Sequence, residues 1–150
     1  MTDLAPVRAR PQRLRTVCWA SAIVVVVLFT AVASVLRGAT EGGGFFASGD
    51  QAAMIGLGVL VAAGVLSLTR PRVFADENGV RVRNVVGGYD LPWAVVRAVT
   101  FNDHSPWASL ELADDDTVAV LAVQAVDKEY AVEAVRGMRA LLAAHREAGA

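Results

Sequence analysis

Two uncharged apolar stretches dominate the first half of the chain. The first, residues 17–36, contains twenty residues, eleven of which are Val, Ile, Leu or Phe. At 1.5 Å per residue, a helix of this length spans about 30 Å, the thickness of the hydrocarbon core of a bilayer. The second, residues 52–69, is less apolar and contains three glycines. The pattern predicts two transmembrane helices joined by an external loop over residues 37–51.

The arginines that flank these stretches predict their orientation. Arg15 is the last of four arginines before the first stretch, and Arg70 and Arg72 follow the second. The intervening loop carries only Arg37. Because cytoplasmic flanks of membrane helices are enriched in Lys and Arg, both termini are predicted to be cytoplasmic. Residues 1–16 then form a basic tail at the inner face of the cell membrane.

A cleaved export signal is the competing interpretation of the first stretch. A basic start, an apolar core and the small residues Ala31 and Ala33 match the pattern that precedes a cleavage site. The apolar run nevertheless continues to Leu36 and ends at Arg37, as a segment that stops at a membrane interface does. We therefore expect an uncleaved helical hairpin.

Small residues in the second stretch indicate how the two helices pack. Ala52, Gly56, Gly58 and Ala62 recur at four-residue spacing in two rows. Such rows allow another helix backbone to approach closely, and the first stretch is the nearest candidate. The alternative is that small residues are simply common in membrane helices.

From residue 73 onward the pattern changes to an alternation of apolar and polar positions, which is typical of half-buried strands. Val80 and Val82 alternate with Arg81 and Arg83 after an Asn-Gly pair, a strong hairpin signal. Further alternating segments follow as far as residue 123 and predict a meander of about six strands.

The last part of the chain follows a helical period instead. Tyr130, Ala134, Met138 and Leu142 fall on one stripe, and Asp127 is the expected N-terminal cap. The whole pattern predicts an α+β fold, with a transmembrane hairpin followed by a small domain over residues 73–148. In that domain a curled antiparallel sheet of about six to seven strands is capped by the C-terminal helix.

The chain also resembles a known family over roughly residues 57–123, from the second apolar stretch through the predicted sheet. The resemblance is carried by Gly87 and by residues 75–83, 91–93, 97–101 and 107–112. These residues are similar to the small bacterial pleckstrin-homology-like (PH-like) domain that follows two membrane spans in actinobacterial proteins, a family that includes a low-molecular-weight mycobacterial protein antigen. The resemblance implies a curled sheet closed by a helix and is nearly silent on activity. After Trp93, where relatives usually carry an acidic residue, this chain has Ala94.

Composition and motifs give no support to an enzyme. The chain is 55% hydrophobic and only 19% charged, with a mean hydropathy of +0.45, which is too apolar for an ordinary soluble domain. His104 and His145 lie outside any catalytic or zinc motif, and the three adjacent acids of residues 114–116 suit a solvated turn better than a cation site. We predict no catalytic residue, no metal site, no cofactor and no nucleic-acid partner.

Charge is divided unequally between the two halves. Residues 1–72 carry a net charge of +4, whereas residues 73–150 carry −5, so an anionic leaflet is expected to repel the domain. Arg81, Arg83 and Arg97 are basic exceptions on the predicted sheet and form a candidate interaction patch for a peptide or an anionic headgroup. Pairing with neighbouring acids is the simpler interpretation of these three residues.

These observations predict a membrane-anchored, non-catalytic PH-like protein. Its expected role is a protein-interaction or scaffold module at the inner membrane face, with a protein partner or with a second copy of itself. The alternative is an accessory subunit that senses a small ligand or a lipid within a membrane complex. The absence of charge in both spans argues against ion transport by a monomer.

Overall fold

Two long helices account for most of the first half of the chain. In this computed structural model, which describes residues 5–39, 48–102 and 104–149, helix α1 spans Gln12–Ala39 and helix α2 spans Ser48–Ser67. Both are long and apolar enough to cross a bilayer. They extend into the expected loop of residues 37–51, whose central part, residues 40–47, lies outside the described residues.

The two helices belong to a compact unit of their own, Leu14–Thr69. Within it, Gly58 of α2 lies against Phe29 of α1, where a Cβ atom at residue 58 would be 2.7 Å from the Phe29 Cβ. Since carbon atoms do not approach so closely, only glycine fits there. Gly58 and Ala62 are buried, whereas Ala52 and Gly56 are exposed. Of the four small residues considered from the sequence, only Gly58 and Ala62 are buried within the helical unit.

The second compact unit joins the chain up to Arg13 with the chain from Arg70 onward. It contains two antiparallel sheets, which follow the strand orders β1-β2-β3-β4 and β5-β6-β7. The first sheet consists of β1 (Val7–Ala9), β2 (Arg72–Ala75), β3 (Gly79–Arg83) and β4 (Gly88–Pro92). The second consists of β5 (Val96–Thr100), β6 (Trp107–Leu112) and β7 (Thr117–Gln124), and helix α3 (Glu129–Ala148) follows it. The α+β prediction is confirmed.

Strand β1 lies in the segment that the sequence suggested was a tail. Val7 pairs with Ala75 and Ala9 pairs with Val73, so β1 adds an edge strand to the first sheet. Val7 packs on α3 at Gly137, where a Cβ atom would be 2.5 Å from Val7 Cγ2. Helices α1 and α2 therefore lie, along the chain, between two neighbouring strands of one sheet.

The predicted alternation is present in the hairpin of β2 and β3. Val80 and Val82 are buried, and Arg81 and Arg83 are exposed. The Asp76 carboxylate shapes the turn by accepting the backbone N–H groups of residues 78 and 79 at 2.9 and 3.2 Å. Pro92 ends strand β4 at the edge of its sheet, where its missing N–H costs no ladder bond.

The core lies between the sheets and α3. Trp93 is 1% exposed, and its indole Nε1 donates to the carbonyl of Asp76 at 2.6 Å. The inner face of α3 buries Ala131, Ala134, Val135, Met138, Leu141 and Leu142.

Asp127 does not cap α3, so this prediction was wrong. The chain enters α3 through a short 3-10 helix, Ala125–Asp127, and Lys128 occupies the cap position with a φ of 49°. The carboxylate of Asp127 instead accepts the backbone N–H groups of Gln12 and Arg13, at 3.1 and 3.0 Å. It therefore caps the first turn of α1, more than one hundred residues earlier in the chain.

Candidate functional site

A cleft of about 740 Å³ lies beside the first sheet. It is bounded by β3, by β4, by the turn between them and by the residues that lead into β2. Asp90 is the single acidic residue among the side chains that line it. Four arginines also line it: Arg70, Arg72, Arg81 and Arg83. The cleft therefore concentrates positive charge in a domain whose net charge is negative.

Strand register explains part of this concentration. Arg72 of β2 lies directly opposite Arg83 of β3, and both residues are exposed. Like charges that face each other across a strand pair destabilise the pairing. In the described part of the chain, neither of these two arginines has an acidic partner within ion-pair distance. An anion bound between them would remove this repulsion.

Arg81 differs from its neighbours because it has an acidic partner. Its Nη2 lies 3.0 Å from Asp90 Oδ2 on the facing position of β4. Both side chains are well exposed, so the pair contributes little to stability. The charge available in the cleft is consequently that of Arg70, Arg72 and Arg83.

Arg97 lies apart from this cleft, on β5 of the second sheet. It pairs with Asp115 at 2.5 Å. Two arginines of α3 occupy the same region, where Arg139 donates to the carbonyl of Val99 at 2.9 Å and Arg146 donates to the carbonyl of Arg97. The patch considered from the sequence is therefore divided, with Arg81 and Arg83 in one cleft and Arg97 in another.

The arginines that flank the helices also differ in their surroundings. Arg70 and Arg72 line the cleft, whereas Arg15 is an exposed residue of α1. The side chain of Arg37 lies outside the described residues. From the sequence, topology is sufficient to explain Arg70 and Arg72, although both would also attract acidic lipid headgroups. The observed register is centred on Glu77 and Asn78, which places residue 72 opposite residue 83. Counting outward from the Asn-Gly pair would have placed residue 85 there, so the sequence signal misses the arginine pair.

The turn between β3 and β4 forms one side of the cleft, which Asn84, Val85 and Gly87 line. Val86, in the turn between β3 and β4, is 89% exposed, and Gly87 follows it with a φ of +80° that favours glycine. Asn84 holds the turn on β7, because its Nδ2 donates to the carbonyl of Ala119 at 2.8 Å and its Oδ1 accepts the N–H of Leu121 at 3.3 Å. Val86 is therefore an exposed valine on a braced turn, and it is not one of the residues that line the cleft.

The chemistry of the cleft is that of anion binding. Arginine side chains carry hydrogen-bond donors only and remain charged at physiological pH, so they bind anions and do not accept protons from a substrate. No group of three or more His, Cys, Asp or Glu side chains suited to a metal ion is found in the described ranges. The three acids after β6 include Asp114 and Asp116, whose carboxylates accept N–H groups of their own turn.

Comparisons with known proteins identify similar sequences. A family model described as a bacterial PH domain matches residues 70–141. Uncharacterised proteins of Mycobacterium bovis and Mycobacterium tuberculosis are each 38% identical to this chain over 137 residues. The alignment covers 91% of this chain and 88% of each relative. The similarity therefore extends beyond the residues that the family model matches.

Proposed function

Because the chain belongs to the bacterial PH-domain family, we propose that it is a membrane-anchored, non-catalytic module. In this proposal it holds a PH-like domain at the inner face of the cell membrane, where the domain interacts with other proteins. The observation that carries the proposal is the position of two apolar helices between the paired strands β1 and β2. No enzymatic family is indicated by the match.

The exposed apolar surface of the helices supports membrane anchoring. Large apolar side chains that are more than half exposed occur along both helices: Val17, Trp19, Ile23, Val24, Val27, Leu28 and Val35 on α1, and Leu57 and Leu60 on α2. Soluble monomers rarely expose apolar patches larger than a few hundred Å². Lipid is a solvent in which this surface carries no such cost.

Strand pairing supports the proposed topology. β1 precedes α1 and β2 follows α2, and the two strands are hydrogen-bonded neighbours. If the helices cross the bilayer, both flanks must lie on one side, and the flanking arginines favour the cytoplasm. The same pairing argues against cleavage after Ala33, because cleavage would remove a strand of the sheet.

The proposed interaction role rests on tethering. Only four residues, 68–71, separate the end of α2 from the start of β2. So short a connection confines the domain near the membrane and raises its effective concentration toward other membrane-bound chains. Strand β4, at the edge of the first sheet, includes the half-exposed Tyr89.

The anchoring is tested by extraction and by terminal reporters. We expect the full chain to stay in the membrane fraction in alkaline carbonate. Alkaline phosphatase fused at either terminus should be inactive, because this enzyme requires export. Release by carbonate, or an active phosphatase at either end, would contradict the proposal.

The interaction role is tested by photo-crosslinking in cells. A photoreactive amino acid replaces Tyr89 on β4, and a matched control replaces Arg136 on the exposed side of α3. We expect adducts with a second membrane protein or with another copy of the chain at residue 89. Equal yields at the two positions would exclude β4 as an interaction surface.

A further inference from the structure

We propose that Arg139 and Arg146 of α3 bind two carboxylates of an extended acidic segment of a protein partner, along the exposed edge of β5. The inference rests on the proposed interaction role and assigns a chemistry to the partner, but it does not depend on β4. The two arginines line a groove of about 250 Å³ between α3 and β5, and this groove shares no residue with the cleft beside the first sheet.

Backbone carbonyls of β5 hold the two guanidinium groups in place. Arg139 Nε donates to the carbonyl of Val99 at 2.9 Å, and Arg146 Nη2 donates to the carbonyl of Arg97. Each guanidinium group has five N–H donors, so most of them remain for a ligand. In the described part of the chain, neither arginine has an acidic partner within ion-pair distance. Because the two groups are already positioned, less side-chain entropy is lost when they bind carboxylates.

The spacing of these two positions matches an extended ligand. Arg97 and Val99 are two residues apart on β5, so at about 3.3 Å per strand residue their carbonyls lie roughly 6 to 7 Å apart. In an extended peptide, side chains two residues apart project from one face at the same spacing. Two acidic residues separated by one other residue can therefore reach both arginines, whereas two adjacent acidic residues point to opposite faces.

The other residues of the groove favour a peptide over a lipid. Ala98 and Ala143 line it with short side chains, against which a peptide backbone can lie. The larger apolar residues that line it, Val99 and Leu142, are buried, so neither can enter a leaflet. No acidic residue is among the described residues that line the groove, which therefore attracts carboxylates although the domain as a whole is negatively charged.

The groove also lies along α3 from the attachment of the domain to α1. Asp127, which precedes α3, contacts the N–H groups at the start of α1. Arg139 and Arg146 are ten and seventeen residues beyond Glu129, the first residue of α3, and so lie about 15 and 26 Å along the helix. The attachment therefore does not force this groove onto the membrane surface, and it leaves room for a protein segment.

One carboxylate of the chain itself already binds an arginine at this edge. Arg97 pairs with Asp115 at 2.5 Å, although both side chains are well exposed. The edge of β5 is thus a place where guanidinium groups take carboxylate ligands. Because Asp115 is paired with Arg97, the guanidinium groups of Arg139 and Arg146 are the ones available to an incoming segment.

The experiment compares two fluorescent peptides on the full chain in a neutral maltoside detergent. The peptides have the same length and composition, but two glutamates are separated by one valine in the first peptide and are adjacent in the second. Fluorescence anisotropy measures the dissociation constant of each peptide. We expect the first peptide to bind about fivefold more tightly than the second, because only its two carboxylates reach both arginines at once. This comparison needs no variant, so it does not depend on how any substitution folds.

Matched variants assign the binding to the two arginines. Arg139→Gln and Arg146→Gln should each weaken binding of the first peptide by about fivefold and remove its advantage over the second. Arg136→Gln removes the same charge from an exposed position of α3 that does not line the groove, and it should leave both dissociation constants unchanged. Phosphatidylglycerol added to the micelles at constant ionic strength should not displace the first peptide.

The outcomes separate this inference from the interaction role on which it rests. Equal affinities of the two peptides, no saturable binding of either, or full affinity in the Arg139→Gln and Arg146→Gln variants would each overturn the assignment. Displacement of the peptide by phosphatidylglycerol would assign the groove to lipid headgroups and would also overturn it. Protein adducts at residue 89 in cells, together with any of these results, would leave the interaction role intact and refute only the acidic segment as the ligand of the groove.

Discussion

Replacement of Asp127 with Ala tests how the start of α1 is held. The side chain is 8% exposed, and its two carboxylate oxygens accept the N–H groups of Gln12 and Arg13 at 3.1 and 3.0 Å. In the variant, two donors of the first helical turn lose their acceptor. The favourable interaction between the carboxylate and the positive end of the helix is lost as well.

The size of the effect follows from these contacts. Loss of a helix cap costs about 0.5–2 kcal/mol, and a buried carboxylate that serves two donors belongs at the upper end, so we expect a loss of about 2 kcal/mol in the free energy of unfolding. For a domain of this size the melting temperature should fall by roughly 8–16 °C. Asp127→Asn keeps one acceptor without the charge and should give an intermediate loss.

The assay combines thermal unfolding with limited proteolysis of the full chain in detergent. Trypsin cuts after Arg8 only when β1 detaches, because Arg8 is paired within the sheet. The bond after Arg10 resists trypsin in every state, because Pro11 follows it. A loss of about 2 kcal/mol should raise the cleavage rate after Arg8 by about 30-fold.

The matched control is Glu133→Ala, which removes an exposed carboxylate from α3. This variant should melt and be cleaved like the parent chain. If Asp127→Ala behaved like Glu133→Ala in both assays, the carboxylate would not hold the start of α1, and the reasoning would be refuted.

Two further substitutions test the packing of the helices and the bracing of the cleft. Gly58→Leu should separate α1 from α2, because the new side chain meets Phe29. Gly56→Leu should be tolerated, because nothing lies within 4 Å of a Cβ atom at residue 56. Disulfide crosslinking between engineered cysteines on the two helices measures the difference between the variants. Asn84→Ala should lower the melting temperature of the domain by several degrees, because it leaves the Leu121 N–H without its acceptor. Equal melting of Asn84→Ala and the exposed Asn102→Ala would contradict that role.

Local pattern was sufficient for elements whose partners are close in the chain. The hairpin of β2 and β3 follows from the alternation around Val80 and Val82 and from the Asn-Gly turn, because each pairing spans at most twelve residues. The buried stripe of α3 follows from helical periodicity in the same way. In both cases, the residues whose pattern predicts the element are the same residues that make up the element.

Nonlocal partners explain what the sequence did not reveal. β1 is three residues long and lies among arginines, and it becomes a strand only because β2, more than sixty residues later, offers an edge. Asp127 lies just before α3, and a local capping rule predicts that it caps this helix. The backbone N–H groups that donate to its carboxylate instead lie 114 and 115 residues away. Arg70 and Arg72 had a sufficient explanation in topology, and their position beside Arg83 depends on a strand register that the sequence did not reveal.

The order of elements along the chain links the membrane helices to the integrity of the domain. Since α1 and α2 stand between β1 and β2, the first sheet is completed only after both helices have been synthesised. Without β1, the edge of β2 would lose its hydrogen-bond partners and Gly137 would lose the side chain of Val7 that covers it. A domain expressed from residue 70 alone would therefore expose an unpaired edge strand, which is a template for aggregation. The helices are thus inserted within the domain, and the segment before α1 is as much a part of the fold as the segment after α2.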